Sequence, residues 1–273
     1  MPKKERADKI LVDKGFFETK SKAQAAIMAG DVKFSGETVV KAGQFFIPDE
    51  KLIIEIKSMP YVSRGGFKLE KALKEFEINL SEKICLDAGA STGGFTDCML
   101  QNGAHKVYSV DVGYGQLAWT IRNNPNVKVI ERVIIKNCLY SDIYSTNDIL
   151  PTFCAMDLSF ISILKVLPNI KTLLNYTEQC QIVALIKPQF EAGKHLVGKN
   201  GVVREQSVHI ELIENIIRET NSMGLNAQKL THSPIKGPAG NIEYLILLDN
   251  QSQTEAISVE DVVSQAFSSL SEL

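Results

Sequence analysis

The stretch CLDAGASTGGFTDCML, residues 85–100, carries an apolar run into Asp87, turns on Gly89, Gly93 and Gly94, and then takes on helix character. Glycines at a strand-to-helix turn let the backbone approach a ligand that a side chain would exclude. A dinucleotide site spaces its glycines as GxGxxG and sets the pyrophosphate on the helix N-terminus. The spacing here differs. Asp87 also stands two residues before the first glycine, where it repels a pyrophosphate but suits an amino-acid ammonium. The second strand ends at Asp111, where a carboxylate can take both ribose hydroxyls. These features favour S-adenosylmethionine, which bears an ammonium and no phosphate, over NAD. The plain alternative is a tight turn with nothing bound, and Asp87 and Asp111 as surface carboxylates.

Four more polar residues fall where such a site expects them. Asp157 closes the apolar FCAM, Lys187 closes IVALI just before Pro188, Glu243 opens the last apolar run, and Lys68 lies ahead of the first strand. A charge ending a buried strand is costly unless it faces a cleft. Taken singly, each is an ordinary salt-bridge partner. Together they would gather at one rim as two lysines and two carboxylates, the residue types that acid–base chemistry uses.

The elements that must position them alternate. Strand candidates are KICLDAG, KVYSVDVG, VKVIER, FCAMDLSF, QIVALIKPQF and EYLILLD, with helix-like stretches between. That order predicts an α/β fold, a doubly wound, Rossmann-like and largely parallel sheet with its sites at the carboxyl ends of the strands. Ahead of it, residues 1–57 read as a small α+β unit. ADKILVDKGF and SKAQAAIMAG are helical stretches stopped by Gly15 and Gly30, and short strand-like runs follow. Residues 58–66, with Pro60 and Gly65-Gly66, read as a linker, and 67–273 as the main domain.

Composition narrows the classes. With 44% hydrophobic and 23% charged residues the chain is of ordinary globular composition. No apolar run reaches the length of a membrane span, and the basic start MPKKERADK lacks the apolar core of a secretion signal. The five cysteines (Cys85, Cys98, Cys138, Cys154 and Cys180) form no CxxC pair and occupy apolar contexts. Reduced core thiols, no metal and a cytoplasmic location are expected. Residues 1–74 hold 15 Lys+Arg against 10 Asp+Glu, a balance of +5, and the remainder carries −7. A basic segment on an acidic body suits a chain that grips a polyanion with one part and does chemistry with the other.

The stretch RADKILVDKGFFETKSKAQAAIMAGDVKFSGETV resembles the S4 RNA-binding domain, which holds RNA backbone through a helix pair and loop. The resemblance implies RNA contacts at Arg6, Lys9, Lys20, Lys22, Lys33 and Lys41, with Arg64 at the junction. One departure is Ser35, where that family usually has Asn before Gly. Over nearly the whole chain, YVSRGGFKL, LDAGASTGGFTD, VDVGYGQLAW, MDLSFIS, KPQFEAG and GPAGNIEYL resemble the haemolysin A (TlyA) family of ribosomal RNA 2′-O-ribose methyltransferases. The catalytic half of that family is similar to FtsJ-type RNA methyltransferases. The resemblance implies a Lys-Asp-Lys-Glu tetrad at Lys68, Asp157, Lys187 and Glu243; because a ribose hydroxyl is a poor nucleophile until its proton is removed, Lys187 is expected to be the general base. It implies a cofactor loop at Gly89, Ala90, Ser91, Thr92, Gly93 and Gly94, with Asp87 before it and Asp111 beyond it. It also implies ribosomal RNA or ribosomal subunits as partners, cytidine as target and S-adenosylmethionine as cofactor. Val133-Ile134 depart from a polar pair usual in the family, beside the adenine side of the expected site. An RNA-binding module with an inactive methyltransferase half, and a membrane-active haemolysin, are the rival readings.

Overall fold

The computed structural model describes residues 4–270 apart from 18, 29, 50, 57, 58 and 252–255. The chain divides into two compact units, Met1–Pro60 and Tyr61–Leu273. The first opens with β1 (Glu5–Arg6), α1 (Ala7–Asp13) and α2 (Lys20–Met28), and continues through β2 (Val32–Phe34), β3 (Glu37–Thr38), β4 (Phe45–Phe46) and β5 (Ile54–Ile56). Its strands pair as β1–β4 and as a three-stranded sheet β3-β2-β5. Ile10 and Leu11 of α1, Ala23 and Ile27 of α2, and Val32 and Phe34 of β2 close a single small core. Gly15 and Gly30 both take positive φ, the left-handed stop expected of them. The turn from β2 to β3 puts Ser35 at φ 51 and Gly36 at φ 86. Both central residues of such a hairpin turn must be left-handed, which is why Asn is the commoner residue where this chain has Ser35.

In the second unit α3 (Gly65–Glu75) precedes β6 (Ile84–Ala88), α4 (Gly94–Gln101), β7 (Lys106–Asp111), α5 (Trp119–Arg122), β8 (Val127–Glu131) and α6 (Tyr140–Ile143). There follow β9 (Phe153–Met156), α7 (Leu167–Leu173), β10 (Gln181–Ile186), α8 (Pro188–Glu191), α9 (Gln206–Ser222), β11 (Asn226–His232), β12 (Tyr244–Asp249) and α10 (Val259–Leu270). Seven strands form one sheet in the order β11-β12-β10-β9-β6-β7-β8, parallel except for β12, which runs against both its neighbours. Alternate residues of the apolar strands feed two layers. Cys85, Val107, Phe153, Ala155, Val183 and Leu185 pack under α3 and α4, while Leu86, Tyr108, Cys154, Met156, Ile182 and Ala184 pack under α7, α9 and α10. Burial on both faces explains why these strands read as continuous apolar runs. All five cysteines are buried in this unit.

Two local expectations change. Tyr61–Gly66, expected within the linker, belong to the second unit, where Tyr61 is buried and donates its hydroxyl to Glu70 Oε1 at 2.9 Å. Gly65 and Gly66 begin α3 with no left-handed φ; a Cβ on Gly66 would run into the Tyr61 ring. Gly66 is there for close packing, whereas a Cβ on Gly65 would meet only ordinary contacts, 3.4 Å from Ser63 Oγ. β11 was not among the expected strands.

Candidate active site

The sheet reverses its order of connection between β6 and β9, and the loops leaving the carboxyl ends of those strands form the crevice where open α/β sheets bind ligands. β6 delivers the glycine turn and β9 delivers Asp157. The two loops touch: a Cβ built on Gly89, at φ 93, would come 2.7 Å from the Asp157 carbonyl oxygen. The glycine is therefore required by the approach of β9's own backbone, a packing demand that the ligand-centred reading of the turn did not contain. Gly93, at φ 96, faces Leu117 and Ile121 in the same way. Ala90 is buried against Leu117 and Ile121, whereas Ser91 and Thr92 are exposed at the tip.

Asp111 ends β7 and closes the loop electrostatically. Its Oδ2 accepts the Ser91 N–H at 2.8 Å and its Oδ1 accepts the Gly113 N–H at 2.6 Å. Each oxygen keeps a lone pair, and Val112 beside it is an exposed apolar residue. A carboxylate of this kind, next to an apolar surface and a tight glycine turn, fits a ribose carrying a flat base, and thus the nucleoside part of S-adenosylmethionine. Val133 donates its N–H to the Asp111 carbonyl at 3.2 Å and packs against the core, while Ile134 is exposed. Tyr114 and Trp119 are exposed too, with the Arg132 guanidinium 4.2 Å from the centre of the Tyr114 ring. Asp87 lies deeper than a surface contact. It is fully buried, accepts from Thr96 Oγ1 at 2.5 Å through Oδ2, and has no partner for Oδ1 among the described residues. Burial raises its carboxyl to about 7.

The other four candidates meet. β12 is antiparallel to β10 with Tyr244 opposite Ile186, so Glu243 and Lys187 leave the sheet at the same edge. Asp157 follows Met156, which is in register with Ala88 on one side and Ala184 on the other. Lys68 comes from the second turn of α3, above the sheet. Lys187 Nζ lies 2.6 Å from Asp157 Oδ1, Asp157 Oδ2 lies 3.8 Å from Lys68 Nζ, and Lys68 Nζ lies 2.6 Å from Glu243 Oε2. Charges alternate along this chain and sum to zero. Lys68, Lys187 and Glu243 are all buried, so each charge needs its neighbour. Gly237 makes room for the chain's end, since a Cβ there would come 2.6 Å from Glu243 Oε1.

Two residues beside the tetrad were not singled out from the sequence. Ser159 Oγ accepts from Lys187 Nζ at 2.9 Å. Phe160 is 90% exposed, takes φ 65, and meets the Phe190 ring at a tilt of 46° with ring centres 5.1 Å apart. The signal for both was their place in MDLSFIS, two and three residues after Asp157.

The expected RNA-binding residues are spread over both units. Arg6 is tied to Asp8 at 2.6 Å, which holds that carboxyl down at about 2, and Lys9 pairs with Glu5 at 2.9 Å and Asp13 at 3.2 Å. Lys20, Lys22, Lys33 and Lys41 are exposed on the first unit. Arg64 is exposed on the second, four residues before Lys68 and so on the same side of α3.

Residues 61–250 match the FtsJ-like methyltransferase family. The chain belongs to that family. The match covers the glycine turn and all four members of the charged chain. Hemolysin A of Brachyspira hyodysenteriae is 44% identical over 240 residues, 88% of this chain and 98% of that one. The 16S/23S rRNA (cytidine-2'-O)-methyltransferase TlyA of Mycobacterium tuberculosis (strain ATCC 25618 / H37Rv) is 38% identical over 271 residues, 98% of this chain and 99% of that one. Among solved structures, a Streptococcus thermophilus protein with a hemolysin designation superposes with a TM-score of 0.76 at 39% identity, covering 100% of this chain and 98% of the other. The chain is thus a methyltransferase of the FtsJ-like family with relatives along nearly its full length.

Proposed function

We propose that this methyltransferase transfers a methyl group from S-adenosylmethionine to a ribose 2′-oxygen of ribosomal RNA, with Lys187 as the base. The observation that carries the proposal is the unbroken series Lys187–Asp157–Lys68–Glu243 at the carboxyl edge of the sheet, one loop away from the glycine turn. The names of the relatives supply the substrate class: TlyA of Mycobacterium tuberculosis is named for cytidine 2'-O-methylation of 16S and 23S rRNA.

S-adenosylmethionine, when bound, supplies a methyl group on a positively charged sulfur. Asp111 and the Gly89–Gly94 turn would hold its ribose and amino-acid ends. A ribose hydroxyl is a poor nucleophile until its proton leaves, and a lysine amine takes that proton when it is neutral. Asp157 fixes the Lys187 amine and links it to Lys68, whose own charge is answered by Glu243. Two cations against two carboxylates keep the cleft near neutrality, so neither a cationic cofactor nor an anionic strand is excluded by net charge. Holding the hydroxyl, the base and the methyl donor together then contributes through proximity, with effective molarities of about 10⁵ M or more available to aligned groups. Lys20, Lys22, Lys33 and Lys41 would meet phosphates, which position an RNA without reading its sequence.

The test is transfer of labelled methyl to separated 30S and 50S subunits, followed by mapping of the modified ribose. Incorporation at a 2′-oxygen, lost in Lys187→Ala while S-adenosylmethionine affinity is kept, is the expected result. Transfer at the wild-type rate by Lys187→Ala would overturn the assignment of the base. Cofactor binding without transfer to either subunit would point to a binding module or another RNA.

A further inference from the structure

Among the described residues the Lys187 amine has two acceptors, and the two set a direction. An ammonium has three N–H bonds; a neutral amine has two and a lone pair. Asp157 Oδ1 at 2.6 Å takes one N–H of Lys187 and Ser159 Oγ at 2.9 Å takes a second. When the third proton is gone, the lone pair occupies the remaining position around Nζ. If Asp157 alone were present, the amine could turn about its Cε–Nζ bond and the lone pair would be shared among several directions. With Ser159 in place the rotation is locked.

We propose that Ser159 is a positioning residue that aims the Lys187 lone pair at the substrate hydroxyl; the inference rests on the reading of Lys187 as base. The balance of the step is plain: the 2′-O–H bond breaks and its proton joins Nζ, the oxygen forms its bond to the methyl carbon, and the carbon–sulfur bond gives its electron pair to sulfur. Lys187 ends as an ammonium that donates to Asp157, Ser159 and solvent.

The backbone around Ser159 is built to hold still. Its loop leaves β9 and is fastened to the segment after β10 at two further points. The Phe160 ring lies 5.1 Å from Phe190, and the Glu191 carboxylate accepts the Ile163 N–H at 2.8 Å. Ser159 itself is exposed, although its hydroxyl meets a buried amine.

The test compares Ser159→Ala, Ser159→Thr and Lys187→Ala in the full chain. In Ser159→Ala kcat is expected to fall about tenfold or more, the scale of a misaligned base, with RNA KM and S-adenosylmethionine affinity within about twofold of wild type. Ser159→Thr keeps the hydroxyl and is expected to restore most of kcat. A readout independent of turnover is nitrogen-detected NMR of the Lys187 side chain in cofactor-free protein, its signal assigned by its loss in Lys187→Ala. Proton exchange with water there should be faster in Ser159→Ala. Wild-type kcat in Ser159→Ala, an unchanged exchange rate, or a parallel loss of cofactor affinity would each overturn the inference. If Ser159→Ala keeps its kcat while Lys187→Ala is inactive, only the role of Ser159 fails. If Lys187→Ala still transfers methyl, the reading of the base fails and Ser159 falls with it.

Discussion

Glu243 and Lys68 bear directly on stability and, under the proposed function, on chemistry as well. Both are buried, and the Lys68–Glu243 contact of 2.6 Å is the closest charge neutralisation either has at that end of the tetrad. Removing one partner leaves an uncompensated buried charge, so Glu243→Ala should cost about 3 kcal/mol or more, measured by urea unfolding. Replacing both, as Lys68→Met with Glu243→Leu, should regain much of that stability while methyl transfer stays lost. A double variant that unfolded as easily as Glu243→Ala would show that the pair does more than neutralise itself. Asp87 makes a different residue-scale prediction. Its carboxyl is raised to about 7 by burial, so the folded state holds a proton that the unfolded chain releases near its ordinary pKa of 3.8. Below about pH 4 both states are protonated; between there and about pH 7 stability falls as pH rises, and above that the loss is complete. Asp87→Asn should flatten that fall, a difference of order 2–4 kcal/mol between pH 4 and pH 8 in unfolding experiments. The sequence carried the identity of these residues but not their depth. Nothing in CLDAGASTGG distinguishes a carboxylate at the surface from one beneath the loop, because its depth depends on residues from other elements, among them Thr96 of α4, whose hydroxyl bonds it.

At the scale of elements, the glycine turn is held by packing as much as by any ligand. A methyl group on Gly89 meets both a φ of 93 and the Asp157 carbonyl at 2.7 Å, whereas one on Gly115, at φ 70, meets nothing within 4 Å. Gly89→Ala is therefore expected to cost about 3–5 kcal/mol, backbone strain and overpacking together, against about 1–2 kcal/mol for Gly115→Ala. Thermal unfolding of the two variants side by side gives the comparison, and equal losses would refute the close approach of β6 and β9 loops. Of the six apolar strands, β6, β7, β9 and β10 were legible because a parallel strand covered on both faces is nearly continuously apolar. β12 was legible because it is buried along its whole length, and the edge strand β8 through its β-branched VKVIE. β11 was not. Its residues NAQKLTH lie at the edge of the sheet with a bulge between Ala227 and Lys229, so neither a continuous apolar run nor an alternation of period two survives. Gly66 was placed in the linker for a related reason: a glycine kept for space looks like a linker glycine until the Tyr61 ring is in position. Asp157, Lys187 and Glu243, by contrast, were visible as charges beside apolar strands; the antiparallel pairing of β12 with β10 brings Glu243 to Lys187's edge, and α3 adds Lys68.

Across the whole molecule the charge is divided by unit: residues 1–60 hold 11 Lys+Arg against 9 Asp+Glu, a balance of +2, and the rest carries −4. An acidic body gains nothing by approaching RNA except through the few places where cations are gathered, so the cations of the first unit should dominate the salt dependence of binding. They are not equivalent. Arg6 and Lys9 are engaged with Asp8, Glu5 and Asp13, and a phosphate would have to compete with those carboxylates. Lys20, Lys33 and Lys41 stand exposed without that competition in their described surroundings, on a unit whose core is formed by other residues. Replacing all three with alanine should leave the fold and the S-adenosylmethionine affinity unchanged, since the tetrad and the glycine turn lie wholly within Tyr61–Leu273. It should weaken RNA binding and lower the slope of log K against log salt by about 2–3, close to one for each phosphate that is no longer neutralised. Because phosphate contacts position without specifying, the same nucleotide should still be methylated, only at higher RNA concentration. Filter binding at several salt concentrations measures the slope. A triple variant with the wild-type slope would move RNA contact away from this unit's lysines and onto the methyltransferase unit itself, with Arg64 the first residue to test there.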